Sequence, residues 1–219
     1  MSRYGSRRAV SAACVGLTAI AVVLPCRLSA QGMEFIPYGG VILPLGKLVE
    51  QGRANISHVV NVAFGGRVDG WLSPRTGLEV AVSYAPSGFH AADTLGTSLD
   101  TTGGLFSVTG RVLYRFARTG AMSWHVLAGA GVLIHSGAYI ANLTGKKNLT
   151  GVVGVTGRFQ ISGGTAITLT TEDYVYSVKF GGIPGIAPAA RLNNDVVFSL
   201  GLVVPLGARG EDDYMRVFR

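Results

Sequence analysis

The feature that most constrains this chain is a hydrophobic period of two that recurs along most of its length. In residues 60–72, Val60, Val62, Phe64, Val68 and Leu72 alternate with Asn61, Ala63, Arg67, Asp69 and Trp71. Successive side chains of a strand point to opposite faces, so such a segment has one apolar and one polar face. The same alternation runs through 77–84 (Leu78, Val80, Val82, Tyr84 against Glu79, Ala81, Ser83) and 105–116 (Phe106, Val108, Val112, Tyr114, Phe116 against Ser107, Thr109, Arg111, Arg115). It returns in 124–135, 152–161, 165–176 and 195–206. Phe35–Leu45 reads as an eighth strand that is apolar on both faces, so periodicity does not fix which face turns inward.

The connections alternate in length. Short ones lie near 73–76, 118–122 and 162–164, and long ones near 46–57, 86–104, 136–149 and 179–192. Glycine at the short turns suits tight hairpins. Long–short alternation describes an up-and-down meander with every long loop at one end. The expected fold is therefore all-β: one eight-stranded antiparallel up-and-down transmembrane β-barrel over residues 31–206, the layout of barrels that cross membranes with strands.

Three features turn the apolar face outward. The polar face is mostly Gly, Ala, Ser and Thr, which fit the crowded lumen of an eight-stranded barrel, whereas a soluble exterior carries many Lys and Glu. The charges on that face nearly balance: Arg67, Arg111, Arg115 and Arg158 against Asp69, Glu79, Glu172 and Asp195. All of these but Asp195 are expected to form a lumen ion network, while the four lysines, Lys47, Lys146, Lys147 and Lys179, fall in or beside the long loops. Aromatics on the apolar faces gather at strand ends, Tyr114, Phe116, Trp124 and Phe159 toward the short turns and Tyr84, Phe106, Tyr176 and Phe198 toward the long loops. Two interfacial girdles have this distribution.

Charged residues make up 14% of the chain, too few for an ordinary soluble domain, and hydrophobic residues 48%, too many for a disordered one. The net charge of +7 is concentrated at the N-terminus. Arg3, Arg7 and Arg8 precede an uncharged, mostly apolar run from Ala9 to Leu24, and Leu28-Ser29-Ala30 follows. This is the three-part layout of a secretory signal peptide, with cleavage expected after Ala30. Residues 1–30 hold four of the arginines and no acid, so the remainder carries fifteen basic against twelve acidic residues, +3, and no nucleic-acid partner is implied. Cys14 and Cys26 both lie in this segment, and Pro25 argues against Cys26 as a lipid attachment point. The tail 207–219 is expected to be a short periplasmic end.

The strand count, the loop alternation and the segment Asn194-Asp195-Val196-Val197-Phe198-Ser199-Leu200-Gly201-Leu202, which reads as a closing strand, resemble the small eight-stranded outer-membrane barrels of the OmpA/OmpX-like kind. The resemblance covers residues 33–206. It implies a bacterial outer-membrane location after export, insertion by the barrel-assembly machinery, and contact with outer-membrane lipid and lipopolysaccharide. The chain departs from that pattern at its end, where Gly207–Arg219 follows Leu206 and Phe218 is penultimate.

No motif for catalysis, a cofactor or a metal stands out. His58, His90 and His135 are expected at or near the external rim as solvated residues, and their spacing, with that of His125, matches no ligand motif. The expectation is a non-enzymatic, monomeric barrel with a structural or surface-interaction role and a lumen plugged by its ion network. Lys47, Arg53, Lys146, Lys147, Lys179 and Arg191 are the candidate lipopolysaccharide contacts. Two alternatives stand beside it: a lipid A-modifying hydrolase using His135, Ser136 and Glu172 or Asp173, and a narrow channel.

Overall fold

Alternating sequences close on themselves only if the register lets each strand bond to two neighbours. In the computed structural model this happens with no helix among the described residues. The structure describes residues 32–51, 54–58, 60–92, 98–137, 145–162, 164–178 and 190–206, with side chains throughout except at 47–58 and 87–102. Both the signal segment and the C-terminal tail lie outside the described residues.

The strands are β1 (Met33–Pro44), β2 (Lys47–Gln51), β3 (Ala54–His58), β4 (Asn61–Trp71), β5 (Thr76–Ala92), β6 (Ser98–Thr119), β7 (Met122–Gly137), β8 (Lys147–Ser162), β9 (Thr165–Val178) and β10 (Arg191–Leu206). Eight of them, all but β2 and β3, pair antiparallel in the circular order β1-β4-β5-β6-β7-β8-β9-β10, with β10 returning to β1. Both ends of the barrel chain meet at the short-turn end, where Met33 is in register with Leu206 and with Gly70. The β1–β10 ladder lapses at Ile36 and Pro37, between Phe35↔Val204 and Tyr38↔Gly201. Proline has no N–H to donate, so one rung is missing there.

The short turns are as tight as the sequence suggests. Thr119↔Met122 and Ser162↔Thr165 each leave two residues between strands. Gly120 (φ +57°) and Gly164 (φ +84°) take the left-handed backbone that these turns need and that side-chain-bearing residues avoid. In the 72–75 turn the Ser73 hydroxyl accepts from the backbone N–H groups of Arg75 and Thr76.

The long-loop end differs from the expected plain loops. The β5–β6 ladder runs unbroken from Thr76↔Tyr114 to Ala92↔Ser98, and β3 adds to it through Asn55↔Ala92 to His58↔Phe89, with β2 outside β3. A strand crosses a bilayer in about 9–11 residues, so the 22 residues of β6 extend far past that length. Much of two long connections is thus a β-blade continuous with the barrel wall. Two lysines are consequently strand residues, Lys47 opening β2 and Lys147 opening β8.

Burial inverts the pattern of a soluble barrel. Phe64, Val80, Val112, Phe116, Val153, Leu169 and Leu200 face outward and are half or more exposed. Arg67, Asp69, Glu79, Arg111, Arg158 and Glu172 are buried. The first strand now has a facing: Glu34, Ile36, Tyr38 and Ile42 point in, and Phe35, Pro37 and Val41 point out. Its register decides this, because Ile36 lies opposite the inward Arg67.

Candidate functional site: the barrel interior and its rim

The interior is built by register. Glu34, Asp69, Glu79 and Arg111 are direct neighbours across β1, β4, β5 and β6, forming one inward row of four charged groups. Like charges opposite one another destabilise a sheet, so the three adjacent carboxylates need cations from elsewhere. Arg158 arrives from β8: Nη1 donates to Glu34 Oε2 at 2.7 Å and Nη2 to Asp69 Oδ2 at 3.0 Å. Glu34 Oε2 also accepts from the Trp71 indole at 3.0 Å, and the Trp71 ring lies beside His125 and beneath the Arg158 guanidinium.

A second cluster lies nearer the long loops and centres on Glu172 of β9. Glu172 Oε1 accepts from Arg67 Nη2 at 2.8 Å and Arg111 Nη1 at 2.7 Å, and Oε2 from Arg111 Nη2 at 3.1 Å and the Tyr174 hydroxyl at 2.9 Å. Arg111 Nη1 also reaches Glu79 Oε1 at 2.9 Å, which links the clusters. Arg67 donates further to Ser199 and Thr170 and stacks over the Tyr38 ring at 4.1 Å. Room for these long side chains comes from glycine. A Cβ at Gly129 would stand 2.9 Å from Arg111 Cγ, and one at Gly154 would stand 3.3 Å from Glu172 Cγ.

Six of the seven network residues named from the sequence, Arg67, Asp69, Glu79, Arg111, Arg158 and Glu172, are brought together in this way. Arg115 is only half-buried, at the short-turn end beside the register shift of the β6–β7 ladder. Glu34 is the member that sequence reasoning missed. It precedes the strand read from Phe35, and an apolar strand gave no inward parity; its place two residues before the inward Ile36 becomes informative only once pairing is known. The expected balance of charge is corrected too. Among the described residues five buried carboxylates, counting Asp195, face three buried guanidiniums.

Two side chains are placed differently from the expectation. Tyr176 is a buried lumen residue and no member of an outer girdle; its hydroxyl donates to Asp195 Oδ2 at 2.7 Å. Its even-numbered place follows Glu172 and Tyr174 inward, because β9 keeps strict alternation. His135, expected as a solvated rim residue, is 1% exposed, packed beside the Tyr176 ring and within 3.3 Å of the Asn148 amide through Nδ1. The side chains of His58 and His90 lie outside the described residues. Asp173 is the one acid among the described residues of β9 whose side chain turns to the outer face, opposite Val153 and Val196.

The hydrolase grouping does not assemble. His135 points into the lumen, while Ser136 points out and donates to the Gly104 carbonyl; Glu172 is held by two arginines and Asp173 is on the other face. No group of three His, Cys, Asp or Glu among the described residues could hold a metal ion. Of the six basic rim candidates, Lys146 is half-buried and Lys147 and Arg191 are exposed, all at the long-loop end. Lys47 has no described side chain, and Arg53 and Lys179 lie outside the described residues.

An apolar exterior around a charged, hydrogen-bonded interior, in a closed ring of eight antiparallel strands, defines a small membrane-spanning β-barrel. The chain has the fold of the small eight-stranded outer-membrane barrels. The outer membrane protein OprG from Pseudomonas aeruginosa superposes with a TM-score of 0.59 at 9% identity, over 81% of this chain and 97% of that one. Neisserial surface protein A gives 0.52 at 12% identity, over 79% and 96%. The outer membrane protein AlkL gives 0.51 at 17% identity, over 85% and 98%. At these identities the likeness is one of fold alone. No protein-family model and no curated protein matches the sequence.

Proposed function

We propose that the protein resides in a bacterial outer membrane as a closed barrel with a structural and surface-contact role, its lumen plugged by the ion network. The observation that carries this reading is the reach of the arginines. Arg158 on β8 bonds to Asp69 on β4, the strand diametrically opposite in the ring, and Arg67 on β4 and Arg111 on β6 both cross to Glu172 on β9. An eight-stranded lumen is only wide enough to be filled by side chains, and ion pairs strung across it leave no continuous aqueous path. Such a barrel acts at its surface, through its outer wall and the long-loop end.

The outer wall supports the membrane placement. A charge at the midplane of the lipid face costs about 2–4 kcal/mol, and the outward positions of the barrel are dominated by Val, Leu, Ile and aromatics. Lys146, Lys147 and Arg191 stand at the long-loop end, where lipopolysaccharide phosphates would lie in the outer leaflet, and cationic side chains pair well with phosphate. Export would proceed by cleavage after Ala30, leaving Gln31 as the N-terminus of the mature protein. The test is a planar-bilayer recording together with lipid analysis. The purified barrel should give no steady single-channel current, and Lys146→Glu with Lys147→Glu should reduce co-purifying lipopolysaccharide. A stable wild-type conductance would refute closure, and unchanged lipopolysaccharide would refute the rim contact.

A further inference from the structure

Asp69 is 1% exposed and its two carboxylate oxygens have unlike surroundings. Oδ2 accepts from Arg158, whereas Oδ1 is fully buried with no hydrogen-bond partner among the described residues. The group that Asp69 faces across the β4–β5 ladder is Glu79, its direct cross-strand neighbour, buried on the same inward face. Two buried carboxylates held side by side on neighbouring strands repel; carboxyl groups so placed hold one proton between them. We propose that Asp69 and Glu79 share a single proton, forming a carboxylic acid–carboxylate hydrogen bond inside the barrel.

The surrounding charges point the same way. Glu34 on β1 and Arg158 on β8 face the pair from one side. Arg111 on β6, Glu172 on β9 and Arg67 on β4 face it from the other, and His125 on β7 lies against Trp71 below. The inward residues of β10 at this depth, Gly201 and Val203, carry no charge. Among the described residues, the four carboxylates of the two linked clusters, Glu34, Asp69, Glu79 and Glu172, meet three buried guanidiniums, so acid is in excess. A metal is the wrong occupant, since the described residues contain no grouping of three suitable ligands.

The shared proton makes an unusual demand on substitutions. Either carboxyl alone can become an amide: in Asp69→Asn the new N–H replaces the acidic proton toward Glu79, and in Glu79→Gln it is donated the other way. Replacing both removes the one negative charge the pair must keep. The reading does not depend on whether the lumen conducts, and its test is made on the full barrel refolded in lipid vesicles at neutral pH. Infrared difference spectra of wild type against Asp69→Asn should contain a carboxylic-acid C=O band that shifts in deuterium oxide. Urea midpoints of Asp69→Asn and Glu79→Gln should match wild type or exceed it, while the double variant and Glu172→Gln should both fall. Absence of the acid band, or a midpoint for Asp69→Asn as low as that of Glu172→Gln, would overturn the proposal. So would a wild-type midpoint that depends on the choice of sodium or potassium, since a bound cation would then occupy the place of the proton.

Discussion

Arg111→Met tests how far the interior depends on paired charge. The change keeps an unbranched apolar stem and removes the guanidinium, which is 3% exposed and serves Glu79, both oxygens of Glu172 and the Tyr174 hydroxyl. Losing a charge-assisted hydrogen bond costs about 1.5–3 kcal/mol. Stranding a buried carboxylate costs more, about 3–5 kcal/mol when one partner of a buried pair is removed. Glu172 keeps Arg67 at 2.8 Å, so the larger effect falls on Glu79. The expected loss is therefore about 3–5 kcal/mol, read from urea unfolding in phospholipid vesicles by linear extrapolation. Adding Glu79→Gln should return about 1–3 kcal/mol, because neighbours in one network couple. A single variant within about 0.5 kcal/mol of wild type, as for an ordinary surface change, would refute the reasoning. So would a double variant whose losses simply add.

Three further perturbations probe orientation and packing. The two tryptophans lie on opposite sides of the wall, Trp71 in the lumen at 8% exposure and Trp124 outside at 38%, so brominated acyl chains should quench fluorescence in Trp71→Phe and leave it largely intact in Trp124→Phe. Equal quenching would refute the opposite facings argued for the two. Val80→Arg, on an exposed outward position, should cost about 2–4 kcal/mol in vesicles if that position lies at mid-membrane; a neutral result in the same urea titration would place it outside the lipid belt. Gly154→Val would place a Cβ 2.5 Å from the Thr171 carbonyl oxygen and 3.3 Å from Glu172 Cγ, and overpacking of this kind costs about 1–3 kcal/mol; an unchanged urea midpoint would mean that the β8–β9 wall can yield.

Seven of the eight barrel strands were legible because each has one face against lipid and one against a crowded polar interior, and two such environments impose a period of two; β1, apolar on both faces, was legible as a strand but not in its facing. The short turns were legible for a similar local reason, since glycine is needed at Gly120 and Gly164. The β2–β3 hairpin and the outer parts of β5 and β6 were not legible. In Pro86–Ala92 and Ser98–Gly104 the sequence sustains no apolar face, so no period of two marks these paired segments.

Parity likewise determined which charges turn inward at Arg67, Asp69, Glu79, Arg111, Arg158 and Glu172. Which of them meet is a matter of closure and register. Glu34 and Arg158 are 124 positions apart and touch only because the ring brings β8 across from β1. The sequence by itself thus determined an inverted barrel wall and the cast of its interior. The tertiary structure decided the pairings, the acid excess and the facing of β1, because alternation acts along one strand whereas contact across a lumen depends on how all eight are staggered.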